Sequence, residues 1–303
     1  MSTTTFFPSE LRRLLDDQAS VVTHRQLREA GISGRVIERA SRGWARLTRG
    51  IYLIGTATWH SAVYAGLLSG AGDGVVGGRA AAYLHGVLRD PPKSVTIWVP
   101  TPRHDFYVGE WRVRFRRGHR RGTREPRRSP LEESLLDMAS DGHELEIVDA
   151  VARALADRRT TPSRLIQALD QRERQRHSKV VREMCDASSS GIESALEWLF
   201  LRNVIRRHGL PEPPRQVSTA PGRVDMLYDD ANLVVELDGM RDHADWSHDM
   251  FRDNDHVLDA DRRTMRYGFR AANAQACRAA SQIRDALRIH SGAATFQRCR
   301  ACP

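Results

Sequence analysis

The sequence predicts an α+β protein of several domains, and three observations carry that prediction. Strands of period two are interspersed with amphipathic helices along the chain. At 303 residues the chain is longer than one typical domain and suggests two or three. A Ser/Gly-rich break, Asp186-Ala-Ser-Ser-Ser-Gly191, separates a last segment with its own run of strands.

Residues 1–54 read as a winged helix-turn-helix. A first helix is predicted over Glu10–Asp17, with Leu11, Leu14 and Leu15 at helical spacing. Thr23 is the expected N-cap of a second helix, His24–Ala30, with Gln26 completing a capping box. Gly31 breaks that helix and Ser33 caps a third, Gly34–Arg42. Helix, tight turn with Gly, helix is the helix-turn-helix pattern. On the third helix Ile32, Val36, Ile37 and Ala40 are expected to face inward, and Arg35, Arg39 and Arg42 outward. The stretch Trp44–Ile54 reads as a two-stranded wing carrying Arg46 and Arg49 at its tips. An arginine stripe on a recognition helix, repeated on a wing, points to DNA contact.

Residues 55–185 read as an α/β middle domain. Ser61–Ser69 is a helix, and Gly77–Gly86 a loop followed by a short helix. Ser94–Val99 and Trp111–Arg116 alternate at period two, as strands do. A dense basic loop follows, with Arg117, Arg120 and Arg121; it is either a solvated loop or a contact to the phosphate backbone. Leu131–Ala139, Glu144–Ala156 and Thr161–Leu169 are amphipathic helices, and Arg172–Arg176 is a charged helix end or linker. His85 reads as a packing residue at a helix end.

Residues 186–292 form the last domain, in the order α-β-β-β-α-β-α. A helix runs from Ile192 to about His208, followed by a short strand, Arg215–Thr219. The hairpin comes next: Arg223–Tyr228, a turn of Asp and Asn, and Leu233–Gly239. Helix Asp245–Arg262, strand Thr264–Gly268 and helix Asn273–Ile289 complete it, and residues 293–303 are expected to be a flexible tail. The second hairpin strand is almost wholly apolar, yet it carries Glu236 and Asp238. Their spacing puts both on one face, and Asp225 joins them from the partner strand. Three converging acids repel and lose hydration, which a divalent cation offsets.

Composition supports an anionic partner. Formal net charge is +9 and the pI about 10.0, which favours nucleic acid first and an anionic membrane second. Apolar content of 40% suffices for sizeable cores. Lys occurs only at Lys93 and Lys179, a preference for Arg that a GC-rich coding sequence explains. No apolar run is long enough to span a bilayer and the N-terminus lacks the pattern of a signal peptide, so the expectation is a cytoplasmic protein without a membrane partner. Four cysteines do not make a disulfide framework in a chain this long. Cys299-Arg-Ala-Cys302 is a lone pair where zinc needs about four ligands, and it reads as part of a frayed tail.

Two resemblances sharpen these readings. The stretch VVTHRQLREAGISGRVIERASRGWARLTRGIYLI resembles the N-terminal winged-helix domain of AbiEi-type antitoxins, and AAAYLHG and LEESLLDMA match the segment that follows it in that family. This resemblance implies a toxin or other defence-system partner. The last 110 or so residues, with RVDMLY, LVVELDG, His243, Arg-Asp and RRTMRYGF in order, resemble the very-short-patch-repair-like branch of the PD-(D/E)XK endonucleases. The resemblance implies a restriction-endonuclease-like α/β sheet sandwich and a Mg²⁺- or Mn²⁺-dependent DNA endonuclease or nickase. Asp225 and Glu236 then match the metal-binding acids, with Asp238 and Glu193 as further ligands, and His243 as base or partner of a metal-bound water. Arg252, Arg262 and Arg266 are candidate phosphate clamps, Arg266 foremost. The chain departs from the superfamily where Asp238 replaces its usual Lys. That departure keeps a second reading open: a winged-helix regulator with an inactive nuclease fold. RNA as the nucleic acid is a third. Cutting both strands from one site per chain requires a homodimer or sequential nicks.

Overall fold

A computed structural model describes residues 7–189, 194–219, 222–238, 262–291, 296–300 and 302. The described residues form a mixed α/β structure with three sheets, divided into two compact units, Met1–Asp186 and Ala187–Pro303.

The first unit begins with α1 (Ser9–Asp17), which buries Leu11 and Leu15, one helical turn apart. Strand β1 (Val21–Thr23) leads into α2 (His24–Glu29), and Thr23 and Gln26 form the expected reciprocal capping box. After α3 (Gly34–Ala40), capped by Ser33, come β2 (Ala45–Thr48) and β3 (Ile51–Leu53). These strands make an antiparallel sheet in the order β1-β3-β2. The wing therefore has a third strand, β1, too short for its period to register in the sequence. Val36 departs from expectation: it is 44% exposed, whereas Ile37 is buried. Positions 36 and 37 lie about 100° apart around a helix. The inward line runs through Ile37 and Ala40, and the buried Trp44 belongs to the same core.

Next come α4 (Trp59–Ser69), β4 (Val75–Gly77), α5 (Gly78–Leu84), β5 (Ser94–Val99), β6 (Phe106–Val108) and β7 (Trp111–Arg117). The sheet order is β4-β5-β7-β6, with β5 and β7 parallel. Helix α4 lies so close to the sheet that a Cβ on Gly66 would sit 2.6 Å from Ile97. Val21, Ile51 and Leu53 share one core with Trp59, Val95, Ile97 and Val113. Residues 1–54 also have a core of their own, Leu11, Leu15, Val22, Leu27, Ile37, Trp44 and Ile54.

Four helices follow, α6 (Leu131–Asp141), α7 (Glu144–Ala156), α8 (Pro162–Asp170) and α9 (Ser178–Ser189). Asp137 on α6, 5% exposed, ties them to the sheet. It accepts hydrogen bonds from Trp98 Nε1 at 3.0 Å, Arg120 Nη2 at 3.0 Å and Arg172 Nη2 at 2.9 Å. The Arg120 guanidinium also lies 3.9 Å from the centre of the Trp98 ring. The basic loop is consequently folded down at Arg120, which is not offered to solvent as a phosphate contact.

In the second unit α10 (Ala195–Phe200) continues through a π-turn, Leu201–Ile205, and a 3₁₀ turn, Arg206–His208. Gly209, at φ +65°, ends it in the left-handed conformation that glycine adopts without strain. Strands β8 (Arg215–Ser218), β9 (Arg223–Tyr228), β10 (Leu233–Asp238) and β11 (Arg263–Gly268) form a sheet in the order β11-β10-β9-β8. Strand β10 is central, antiparallel to β9 and parallel to β11. The chain ends with α11 (Phe269–Ala272) and α12 (Ala276–Ser291). The helix expected over Asp245–Arg262 lies outside the described residues, apart from Arg262. The tail corrects the sequence reading. Gln297 N–H donates to His208 O at 2.8 Å and Phe296 stacks on the His208 ring, so residues 296–300 and 302 are docked rather than frayed.

Removing a carboxylate that two guanidinium groups converge on leaves both without their partner. Asp137→Ala is expected to cost about 3–5 kcal/mol, whereas Asp149→Ala, which breaks a surface pair with Arg153, costs at most about 1 kcal/mol. Urea titrations followed by tryptophan fluorescence check the contrast.

Candidate functional site

The candidate site lies where β9, β10 and β11 present their polar residues on one face. Val235 pairs with Met226, so the next positions of the antiparallel ladder, Glu236 and Asp225, are neighbours. Two residues on, Asp238 lies on the same face as Glu236. The Asp225 carboxylate accepts Leu237 N–H at 2.7 Å through Oδ2, completing the ladder with a side chain. Its other oxygen accepts Gln216 Nε2–H at 3.3 Å. The same Gln216 nitrogen lies 3.3 Å from Glu197 Oε1. One amide therefore bridges two carboxylates from different elements.

Glu197 is the residue that sequence reasoning missed. It sits on α10 one turn beyond Glu193, the acid chosen from the sequence. Ser194 caps that helix, its Oγ accepting Glu197 N–H at 3.1 Å, which places Glu197 in the first turn facing the sheet. Glu197 and Glu236 are 7% and 6% exposed, buried far beyond what carboxylates usually tolerate. Gln216 itself adopts φ +51°, strained for a residue with a side chain. The signal available in the sequence was periodicity: position 197 falls within the apolar run Ala195–Leu201, where an acid is out of place.

The cationic member is Arg266. It pairs in register with Glu236 across the parallel β10–β11 ladder, and its Nη1 lies 3.2 Å from both oxygens of Asp238. Arg262 is elsewhere. It donates to Asp229 at 2.8 Å, beside the turn that begins β10, about 13 Å along the strand from Arg266. Glu193, His243 and Arg252 lie outside the described residues. The structure thus brings together Asp225, Glu236, Asp238 and Arg266 from the sequence reading, and adds Glu197 and Gln216.

A second set of candidates lies in the first unit. Arg35, Arg39 and Arg42 on and after α3, and Arg46 and Arg49 on the wing, are all exposed, and none pairs with a carboxylate among the described residues. Exposed Val36 lies among them. Arg117 and Arg121 are exposed too, in contrast to Arg120. On β7 the outward arginines are neutralised, Arg112 by Asp105 at 2.9 Å and Arg116 by Asp141 at 2.6 Å. An open groove of about 840 Å³ beside the wing is lined by Arg25, Arg49, Arg103, His104 and Arg127, among others. His85 is accounted for by structure: its Nε2 lies 2.8 Å from Ser129 O, so that nitrogen carries the donor proton. Burial, with Arg128 and Arg124 nearby, lowers its pKa.

No helix among the described residues is long and apolar enough to cross a membrane. No protein-family model and no curated protein matches the chain.

Asp225 has a backbone role that can be separated from any ligand it holds. Asp225→Ala leaves Leu237 N–H without its acceptor and is expected to cost about 1–3 kcal/mol. Asp225→Asn keeps an acceptor oxygen and costs less. Amide hydrogen exchange at Leu237, faster in the alanine variant than in the asparagine one, is the measurement.

Proposed function

We propose that the chain is a DNA-binding, metal-dependent phosphodiester hydrolase, with its reacting centre at Asp225, Glu236, Asp238, Glu197 and Arg266. The observation that carries this reading is the gathering of four carboxylates on adjoining elements, two of them almost fully buried. Burying an acid without compensation is costly, and a fold has no need to collect several of them at one strand end. An all-oxygen donor set is what a hard divalent cation such as Mg²⁺ or Mn²⁺ takes. Asp225 and Glu236 would hold it, with Glu197 the nearest further ligand. The bound ion would supply Lewis acidity toward the phosphoryl oxygen and lower the pKa of a coordinated water.

The chain's own residues provide the rest. Gln216 holds Asp225 and Glu197 in a fixed relation, which preorganises the carboxylates. Arg266 places a permanent cation beside Asp238, at the position from which it offsets the charge developing on a phosphate in flight. It delivers, from the neighbouring strand, a positive charge where the superfamily has its lysine. Arg35, Arg39, Arg46 and Arg49 supply the backbone-contacting surface that docks a duplex, and Val36 an apolar contact of the kind a thymine methyl accepts.

A second reading is favoured by one feature, the acid at position 238. A winged-helix regulator with a nuclease-like domain that no longer cuts would keep the arginines of α3 and the wing and dispense with the lysine.

Conversion of supercoiled plasmid to nicked or linear form with Mg²⁺ or Mn²⁺ separates the two. Glu236→Gln is expected to slow it on the order of a thousandfold, the loss of several kcal/mol of charge stabilisation. Absence of metal-dependent cleavage on plasmid, linear, mismatched and single-stranded DNA sinks the hydrolase reading. Sequence-specific binding without cleavage establishes the regulator. In either case the Arg35→Ala/Arg39→Ala variant is expected to lower the slope of log affinity against log salt by about 2, one per phosphate contact. An unchanged slope removes α3 from the interface.

A further inference from the structure

We infer that the second unit carries a structural zinc site, built from His208, Cys277, Cys299 and Cys302, which fastens the C-terminal segment to the domain. The four candidate donor atoms lie within 4.8 Å of one another. Cys277 Sγ and Cys299 Sγ are 3.6 Å apart, and Cys299 Sγ and Cys302 Sγ 3.8 Å. A tetrahedral ion with Zn–S bonds of about 2.3 Å sets its sulfurs about 3.8 Å apart. The observed spacing is that of thiolates sharing an ion, and it is far from the roughly 2 Å of a sulfur–sulfur bond.

His208 supplies the independent argument. It is fully buried, at 0% exposure. Its Nδ1 lies 3.0 Å from Val204 O, so Nδ1 carries the proton and Nε2 is left with a lone pair. That Nε2 has no hydrogen-bond partner among the described residues. A buried ring nitrogen left in this state is costly unless something binds it. A metal-ligating histidine commonly donates its second N–H to a backbone carbonyl, the arrangement found here. The ring is held in place by Phe296, stacked at 5.5 Å and 20°, and Arg284 covers the other ring of that pair at 4.7 Å.

The ligands come from three separate places: the end of the first helix of the unit, the first turn of α12, and a tail turn closed by Cys302 N–H donating to Cys299 O at 3.0 Å. Bringing them together is a clamp, and four protein ligands leave no open position for a substrate. Three thiolates and an imidazole select zinc over the hard cations that carboxylates hold. The site is thus chemically distinct from the one at Asp225 and Glu236, and the inference stands whether or not that site cuts DNA.

Full-length protein, grown with zinc and purified under reducing conditions, is the material for the test. Elemental analysis is expected to find about one zinc per chain. The Cys299→Ser/Cys302→Ser variant is expected to lose it and to melt at a lower temperature, whereas Cys185→Ala, outside the cluster, keeps it. Should the double variant fail to fold, cobalt(II) added to chelator-treated wild type gives a second readout, the visible bands of tetrahedral cobalt thiolate. Less than about a tenth of an equivalent of zinc together with no cobalt–thiolate spectrum overturns the proposal. So does full zinc retention in the double variant, or a reduced-grown protein whose mass shows a Cys277–Cys299 disulfide in place of metal.

Discussion

The burial of carboxylates at the end of a central strand is the constraint that organises the second unit. Strand β10 is apolar through Leu233, Val234 and Val235, as a strand flanked on both sides must be. Its last residues on that face are acids. Burying a carboxylate costs hydration, and neighbouring negative charges repel one another. Everything nearby is arranged around that cost: the backbone N–H of Leu237 turned onto Asp225, Gln216 in a strained conformation to bridge two acids, Arg266 in register on the next strand. Strain of this kind persists only where the surroundings over-determine it, and it gathers at functional sites.

Asp137 in the first unit shows what a purely structural buried acid looks like. One carboxylate meets two guanidinium groups and an indole N–H, each within normal hydrogen-bond distance. The Trp98 ring that takes part also excludes any side chain at position 77, where a Cβ would lie 2.3 Å from it. Charge, packing and backbone agree there on one arrangement. At the ends of β9 and β10, four acids from three elements converge instead of one. The contrast between the two places, more than any single distance, separates a packing device from a candidate reaction centre.

Local patterns were legible in the sequence and long-range ones were not. Period-two alternation located β5 and β7, two apolar runs around a turn of Asp and Asn located β9 and β10, and the capping box at Thr23 was readable because both partners lie within one turn. Strands β1, β4 and β6 have three residues each, too few to show a period. The face of α3 was misjudged at Val36 because seven residues of helix constrain its rotation weakly, and only the later Trp44 fixes it. Asp225 and Glu236 were found because a hairpin joins them. Glu197 was passed over for Glu193 because a helix one turn longer or shorter reads the same. The cysteine pair at 299 and 302 looked like a remnant for the same reason: its partners stand 22 and more residues away, and no spacing rule spans a helix and a loop.

An acid at 238 and an arginine at 266 limit the chemistry that the proposed hydrolase could use. Where a lysine stands at the end of the strand, one group can be both cation and, when its pKa is depressed, proton acceptor. Arg266 can be only the first, because a guanidinium does not give up its proton in a protein. Its contact with both oxygens of Asp238 makes the pair an electrostatic unit, held on two parallel strands whose register fixes the separation. In the proposed hydrolase, the task of accepting a proton from an attacking water would fall to a carboxylate of the cluster or to His243. On the proposed reading, a site so divided would rely on placement more than on a tuned pKa, as phosphoryl transfer does, where positioning and charge stabilisation supply most of the rate.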